Sequence, residues 1–499
     1  MNTTRKDELV CLIIPPSTFL LDERVFMSLG VLKVAAVLEA ATVPVEVLDL
    51  SGVSNYLDAV TYHVRVTRAT CFGLTATTPQ LPAARAIAQV IRQKRPDARL
   101  VLGGPHVTLV SAACKREKKL GLHARAHRAM GRLEDLFDVL VAGDGEEAIF
   151  YALAINPPKL LDADDPNGPL WVPEARLSSL PFPARHLVDV ESYHYKVEGF
   201  PALSLIAQLG CPFECGFCGG RFSPMLRRIR TRLPEHIVAE MRQMFQHYGR
   251  PGFMLYDDEL NVSKDMVQLM HLIHEAQDEL GVEWRLRGFV KAELFTLEQA
   301  RSMYTAGFRW VLVGFESGSP KILKNINKKS TREDNTRAIQ IAHSVGLKVK
   351  ALMSLGHPGE SKETVQETLD WILAVRPDDL DVTVITCYPG TPYYDEAILV
   401  NDGHLWVYTY KKTADRLYQD DPDFDLVAEY YKGQPGKYNV FVFTDFLSRE
   451  ELAAERDGLE NKVRQVLNIP FNAGAPGVDY EHSMGQTGLP PSILRSSSS

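Results

Sequence analysis

The chain has 499 residues, enough for two or three domains, and its 45% apolar content is that of a globular protein. A net charge of −8 argues against a nucleic-acid platform, and no run of 18 or more apolar residues predicts a membrane span. Seven cysteines, an odd number, follow an N-terminus that turns straight into a strand-like run ended by Pro15 and Pro16. That combination predicts a reducing cytoplasm, where clustered thiols more often bind metal than form disulfides.

Within residues 8–160, short apolar runs alternate with helical patterns. Strands are predicted at 10–16, 44–50, 69–76 and 98–104, and a last strand and helix in "DVLVAGDGEEAIFYAL" (138–153). Helices fall at 29–41 and in "LPAARAIAQVIRQKRP" (81–96). Strand–helix–strand spacing of this kind predicts a doubly wound parallel sheet covered on both faces. Ligands of such sheets sit at the carboxyl ends of the strands. There the sequence places "TATTPQ" (75–80), "GGPHVT" (103–108) and "GDGEE" (143–147), whose small residues let a bulky ligand approach the backbone. Neither G-x-G-x-x-G nor G-x4-G-K-[ST] is present, which weighs against a nucleotide. The basic segment "KREKKLGLHARAHRAMGR" (115–132) reads as a solvated surface insertion. The Pro- and Asp-rich residues 161–200 read as a linker.

The pattern restarts near residue 201. Six strands are predicted at 202–208, 252–259, 282–288, 309–316, 347–356 and 380–390. Helical segments lie between them, such as 361–375, where Val365, Leu369, Ile372 and Leu373 share a face and Ser361 is the N-cap. Six β/α units over 201–400 predict a partial version of the eight-stranded barrel, with a site at the carboxyl ends of its strands. Residues 401–499 read as a small α+β extension with a disordered "RSSSS" end.

"CPFECGFCGG" (211–220) falls directly after the first barrel strand and holds Cys211, Cys215 and Cys218 in C-x3-C-x2-C spacing. Structural zinc usually takes two ligand pairs, and the second pair is missing, since Cys387 is far away in sequence. A disulfide would leave one thiol over. A [4Fe–4S] cluster held by three thiolates fits better and leaves one iron for a small molecule.

This spacing, with Phe217 before the last cysteine, resembles the signature of radical S-adenosylmethionine enzymes. "GFESGS" (314–319), "GHPGES" (356–361) and "YPGTPYY" (388–394) resemble later motifs of that family, and "LGGPHVT" and "GDGEE" resemble the cobalamin-binding domain fused to one large branch. The resemblance covers about residues 8–400 and implies three cofactors: a [4Fe–4S] cluster on Cys211, Cys215 and Cys218, S-adenosylmethionine, and cobalamin. For S-adenosylmethionine it implies the Phe217 backbone beside the adenine, Asp257 and Asp258 at the methionine amino group, Glu316 at the ribose, and Lys350 or Ser354 at the carboxylate. Asp258 and Glu259 read equally well as solvated strand caps. For cobalamin it implies Thr75, Thr77, Thr78 and Gln80 along the lower face, with Gly103, Gly104, Pro105, His106, Val107, Gly143, Gly145 and Glu146 in the flanking loops. The run D-x-H-x-x-G, whose histidine binds cobalt in many cobalamin proteins, is absent. His106 therefore reads as packing beside the corrin, and the cobalt is expected to lack a histidine below it.

The activity so implied is a class B type methyltransferase. A 5′-deoxyadenosyl radical takes hydrogen from an unactivated carbon of a small molecule, and methylcobalamin supplies the methyl group. Ring rearrangement or cyclisation with the same cofactors, a non-catalytic cobalamin or iron–sulfur sensor, and a zinc-stabilised scaffold are the alternatives. The partners implied are a small-molecule substrate and an external electron donor of flavodoxin or ferredoxin type, with no nucleic acid and a monomeric chain. Near the barrel mouth, Tyr256, Arg285, Tyr388 and Tyr393 are candidates to shape the substrate pocket or hand over hydrogen atoms. Trp284 falls on the face opposite Arg285 and Arg287. Arg221, Arg227, Arg228, Arg230 and Arg232 read as a solvated, helix-flanking run rather than an anion site.

Overall fold

Six parallel strands build the amino-terminal layer of the computed structural model, which describes residues 8–17, 23–400, 405–427 and 439–470. They are β1 (Val10–Ile14), β2 (Val45–Asp49), β3 (Cys71–Thr75), β4 (Arg99–Gly103), β5 (Val139–Gly143) and β6 (Leu160–Ala163), in the order β2-β1-β3-β4-β5-β6. Both faces are covered, so the strands read as nearly unbroken apolar runs. Cys11, Ile13, Phe72, Leu74, Leu100 and Leu102 enter one core, and Val10, Leu12, Ile14, Val101 and Val141 enter the other. The covering helices are α1 (Leu29–Ala40), α2 (Tyr56–Val66), α3 (Leu81–Lys94), α4 (Pro105–Lys119), α5 (Arg125–Leu136) and α6 (Gly145–Ala152).

Two sequence-based expectations change here. The stretch 161–200 is not a free linker. Its first residues complete β6, and Leu170, Val172, Leu177, Leu180 and Ala184 are buried in the same core as β1. Asp164, fully buried, accepts from the Ser223 hydroxyl at 2.7 Å and the Met225 N–H at 2.8 Å. The segment is a packed strap whose proline and aspartate content serves irregular but bonded backbone. The basic segment 115–132 is not a solvated insertion either. It spans the end of α4 and most of α5, and Arg125 is buried between the rings of Tyr394 (3.4 Å) and Trp406 (4.1 Å). Arg128 and Arg132 pair with Asp421 and Asp423 at 3.3 and 2.6 Å. Its positive charge is matched by an acidic run nearly 300 positions away, which local patterning cannot show.

The second sheet opens with a hairpin, β7 (Lys196–Val197) and β8 (Phe200–Leu205). A short antiparallel pair, β9 (Gln208–Leu209) and β10 (Arg230–Thr231), frames the cysteine loop. Then come β11 (Gly252–Leu255), β12 (Arg285–Phe289), β13 (Phe308–Glu316), β14 (Lys348–Leu355) and β15 (Asp379–Val384), giving the order β15-β14-β13-β12-β11-β8-β7. The six parallel strands from β8 to β15 form the partial barrel. Their outward side chains, including Leu203, Phe253, Leu286, Val313, Val349 and Val382, pack under the helices. Ser361 caps the helix Lys362–Val375 with a reciprocal Thr364 contact. On that helix Val365 and Ile372 are buried and Leu369 and Leu373 are partly buried against the same core.

The extension is α+β as expected: β16 (Ile398–Val400), β17 (Leu405–Thr409), β18 (Arg416–Gln419) and β19 (Val442–Thr444) form an antiparallel sheet, followed by the helix Arg449–Leu467. That helix covers the open edge of the barrel. Arg456 donates to the Val382 carbonyl at 2.8 Å and Arg464 to the Leu380 carbonyl at 2.7 Å, both on β15. The "RSSSS" end lies outside the described residues. Among the described residues no helix is long and apolar enough to cross a membrane.

Candidate functional site

The carboxyl ends of the two sheets enclose one cavity of about 390 Å³. Its N-terminal wall holds Thr75, Thr77, Gln80, Gly103, Gly104, Pro105, Gly143, Gly145 and Glu146, all expected from the strand-end motifs. Met225, Leu226, Ile206 and Leu209 close it from the barrel side. Thr108 and Lys33 also line it, the latter ion-paired with Glu146 at 3.1 Å. Thr108 closes the flagged "GGPHVT" run but was not among the residues expected at the corrin, and Lys33 lies outside the motifs, on α1. A Cβ built at Gly30 in the wall would meet no atom within 4 Å, so the cavity leaves room there for a large guest.

Thr78, His106 and Val107 do not line this cavity. They are buried behind it, and the Thr78 hydroxyl meets His106 Nδ1 at 3.0 Å. Burial lowers the His106 pKa to about 4, so the ring is neutral at physiological pH. The glycines answer to two demands. Gly104 and Gly143 take φ of +96° and +97°, and a Cβ would sit 2.5 Å from Thr75 Oγ1 and 2.4 Å from the Ala163 carbonyl carbon respectively. Their absent side chains serve the turn and the adjacent strand before any ligand.

The cysteine loop lies across the barrel mouth and is held from three sides. The Cys211 N–H donates to the Leu226 carbonyl at 3.0 Å, that of Gly216 to Ile326 at 2.8 Å, and that of Gly220 to Gly390 at 3.1 Å. At Gly216 a Cβ would stand 2.5 Å from the Tyr393 ring, so glycine permits this close approach. Leu109 of α4 backs the loop, 3.2 Å from a Cβ built at Gly219. All described cysteines are free, and Cys11, Cys71, Cys114 and Cys387 lie elsewhere, so three sulfur donors are available here. Burial pushes the Cys211 thiol up to about 11, with Glu259, Asp258 and Cys215 adding to it. Burial and the neighbouring acidic groups therefore favour the neutral Cys211 thiol, and a bound metal centre would supply the positive charge that a thiolate there lacks. Among the described residues the trio with all ligand atoms within 4.8 Å of one another is Cys11, Glu46 and His63, not the cysteine cluster. Wider-set thiols suit a multi-iron cluster better than one zinc ion, whose tetrahedral sulfurs stand roughly 3.8 Å apart at Zn–S distances of about 2.3 Å.

Behind Cys215 runs a buried polar chain. Lys328 Nζ meets Glu316 Oε1 at 3.2 Å, Ser354 Oγ donates to Glu316 Oε2 at 2.7 Å, and His357 Nε2 lies 2.8 Å from the same hydroxyl. Burial opposes ionisation of Glu316, but Lys328 and Ser354 outweigh it and hold the carboxyl below its ordinary range. Glu316 has φ of +66°, a left-handed conformation that turns its carboxylate back toward Lys328. Phe217, half-buried, packs its ring 5.2 Å from His357. Lys291 is also buried here, over the Phe213 ring at 4.4 Å and 3.4 Å from Glu293. Lys328, Lys291 and His357 were missed as site residues. His357 lies inside a flagged motif, whereas neither lysine carries a pattern of its own.

The remaining candidates divide. Asp257 is buried, and its Oδ1 accepts the backbone N–H groups of Ala207 (2.7 Å) and Gln208 (2.5 Å). It fixes the exit of β8, with burial raising its pKa to about 7. Asp258 is exposed at the mouth, and Tyr256, 43% exposed, stands there between Phe26 (4.9 Å) and Phe289 (6.1 Å). Lys350 does not reach the mouth. It is fully buried and paired with Asp379 at 3.1 Å, four positions along the strand from Ser354 or about 13 Å. Arg285 opens β12 at the opposite end of the barrel, where it pairs with Glu283 at 2.9 Å and covers Phe200 at 5.0 Å. Tyr388 packs 5.9 Å from Phe424 in the core shared with the extension, away from the lumen, and Tyr393 is fully buried. Trp284 is buried outward, and Arg287 faces Trp310 at 5.5 Å.

The arginine run is not one solvated feature. Arg230 is buried, pairs with Asp144 at 2.5 Å and covers Trp171 at 4.2 Å, which ties the loop frame to the residue that precedes α6. Arg232 pairs with the buried Glu240 at 2.6 Å. Arg221 stands 3.8 Å from Glu214, Arg227 is half-buried, and Arg228 is exposed.

Two family models match the chain: a B12 binding domain over residues 23–134 and the radical SAM superfamily over residues 205–372. An uncharacterized methyltransferase of Pyrococcus horikoshii is 28% identical over 331 residues, 66% of this chain and 69% of that one. The anaerobic magnesium-protoporphyrin IX monomethyl ester cyclase of Rubrivivax gelatinosus is 24% identical over 369 residues, 70% of this chain and 63% of the relative. In structure, the radical S-adenosylmethionine methyltransferase TsrM from Kitasatospora setae, solved with cobalamin and a [4Fe–4S] cluster, superposes with a TM-score of 0.64 over 91% of both chains at 18% identity. That likeness is one of fold.

Proposed function

Because this chain unites a B12-binding domain with a radical SAM domain and belongs to the cobalamin-dependent radical S-adenosylmethionine enzymes, we propose that it transfers a methyl group to an unactivated carbon of a small molecule held between its two sheets. One observation carries the reading. Leu226 lines the cavity of the N-terminal sheet, and its carbonyl fixes Cys211, so the corrin pocket and the cluster loop share a wall. The superfamily's [4Fe–4S] cluster and S-adenosylmethionine and the B12 domain's cobalamin are the cofactors, and the donor sets fit them. Cys211, Cys215 and Cys218 would hold the cluster, and Thr75, Thr77, Gln80, Gly103 and Gly104 would line the corrin pocket. When bound, the cluster supplies the electron that opens S-adenosylmethionine, and cobalamin supplies the methyl group.

The chain's own residues position and exclude. In this reading Glu316, fixed by Lys328 and Ser354, offers a preset acceptor to the ribose, and Asp258 offers a carboxylate to the methionine amino group. Tyr256, Phe26 and Phe289 form an aromatic rim against which a planar or apolar substrate rests. Among the described residues the cavity lining would offer a bound cobalamin the polar side chains of Thr75, Thr77 and Gln80 and no histidine.

The test is anaerobic turnover of the reconstituted protein with methyl-labelled S-adenosylmethionine and a strong reductant. Formation of 5′-deoxyadenosine together with label in the product is expected. Cleavage with no label in the product would reject methyl transfer and favour cyclisation, the activity named for the Rubrivivax relative. Absence of both would reject a radical catalyst.

A further inference from the structure

The amino ends of β1 and β2 lie on the side of the sheet away from the cavity, and a second set of potential ligands meets there. Cys11 and Glu46 are Cα partners in the β1–β2 register. His63, from the last turns of α2, points Nε2 at both: 2.9 Å from Glu46 Oε1 and 3.5 Å from Cys11 Sγ. All three ligand atoms lie within 4.8 Å of one another. The Thr67 hydroxyl donates to Glu46 Oε1 at 2.5 Å, and the Ala69 N–H donates to Thr67 Oγ1 at 3.1 Å, so the carboxylate is oriented from behind. Cys11 is fully buried, whereas the side chains of Glu46 and His63 remain 31% and 23% exposed, which leaves one side open to water.

The simplest reading is a histidine–glutamate pair beside a core cysteine. It accounts for the 2.9 Å contact but not for a buried thiol aimed at the same ring nitrogen. Sulfur, nitrogen and oxygen donors converging on one point form a set that a borderline-soft divalent ion prefers. Tetrahedral bonds of about 2.0 to 2.3 Å place such ligands roughly 3.3 to 3.8 Å apart; the 3.5 Å Cys11–His63 separation falls in that range and the 2.9 Å His63–Glu46 contact needs a few tenths of an ångström of opening. A thiolate, a carboxylate and a neutral imidazole would carry −2, which the ion neutralises. Burial and the adjacent Glu46 otherwise keep the Cys11 thiol protonated, so binding would release that proton.

We propose that Cys11, Glu46 and His63 form a divalent-metal site of the zinc class, with water as the fourth ligand. Because β2 is the edge strand and α2 lies over it, the ion staples that edge to β1, at the end of the sheet opposite the corrin pocket.

Elemental analysis of the full-length protein, purified anaerobically with its cluster reconstituted and then supplied with zinc chloride, tests this. One zinc per chain beyond the cluster iron is expected. Cys11→Ser, Glu46→Gln and His63→Ala should each weaken zinc binding at least about 10-fold, with iron and cobalamin content unchanged. Cobalt(II) in place of zinc should give a thiolate-to-metal charge-transfer band that Cys11→Ser removes. Zinc content equal in wild type and His63→Ala, or no zinc retained by a wild type that is fully loaded with iron, overturns the proposal. Glu46→Gln keeps the side chain's shape, so loss of zinc there with unchanged circular dichroism separates ligation from misfolding.

Discussion

The two ends of the partial barrel are both rich in charge, and they use it differently. At the amino end, Glu198 accepts from the Trp310 indole and from Lys348 Nζ at 3.1 Å. Burial works against its ionisation, yet these partners hold it below the usual carboxylate range. Deeper in the lumen Lys350 and Arg464 do the same for Asp379, at 3.1 and 3.2 Å. At the mouth only Glu316 is matched in this way. Asp257 and Glu259 are pushed up to about 7 by burial, and Cys211 to about 11. One end is an internally neutralised plug, and the other holds groups that wait for an external cation or ligand. A charged cluster is thus a site where its pairing is incomplete, not merely where charge is dense.

The sharpest way to break this contrast is to remove a sulfur. Cys215→Ala should abolish cluster loading and lower S-adenosylmethionine cleavage by roughly 10³-fold or more, read from iron content and 5′-deoxyadenosine; full iron with activity would refute the tripod.

A matched pair of substitutions comes next. Lys328→Met at the mouth takes the cation from the buried Glu316 carboxylate and should cost about 3–5 kcal/mol in denaturant unfolding, whereas Lys350→Met in the plug leaves Asp379 paired with Arg464 and should cost less. Only Lys328→Met should also lower S-adenosylmethionine cleavage, because only Glu316 faces the cluster loop. Equal loss in both would erase the distinction between the ends. Glu316 is held below its ordinary value, so its pairing stabilises the fold above the carboxylate range and is lost as pH falls through the lowered value. The stability gap between wild type and Lys328→Met is therefore widest at neutral pH and closes in acid.

Asp257 has the opposite sign. Folding favours its protonated form, so stability is present below about pH 4 and is lost as pH rises toward the raised value near 7. Asp257→Asn keeps the oxygen that accepts from Ala207 and Gln208, and it should gain about 1–3 kcal/mol at pH 8 and almost nothing at pH 4. The smallest effect is expected at His106. His106→Phe should leave cobalamin affinity within about 2-fold, with stability reduced by about 1–2 kcal/mol for the lost Thr78 contact. A nitrogen coupling to cobalt in electron resonance that disappears in this variant would instead make His106 a ligand.

Both sheets were legible in the sequence because each strand is an apolar run closed by turn residues, and the strand-end motifs then marked most of the polar side chains of the cavity wall. What escaped depended on distance along the chain. Lys328 matters because β13 turns Glu316 back toward it, and Arg285 fails as a mouth residue because β12 begins with it. Strand polarity decides such cases, and a short motif window does not reveal which end of a strand a charge occupies. Residues 161–200 were misread for a related reason. Proline and aspartate mark irregular backbone, but only the Ser223 and Met225 contacts of Asp164 show that this backbone is packed.

The docking of the acidic run on α5 has a mechanical consequence. Its rim, Arg128 with Asp421 and Arg132 with Asp423, is open to solvent and fades as ionic strength rises, whereas the hub, Arg125 clasped by two aromatic rings, is shielded. Salt therefore frays the outer margin of the seam between α5 and the extension without unfastening its shielded centre.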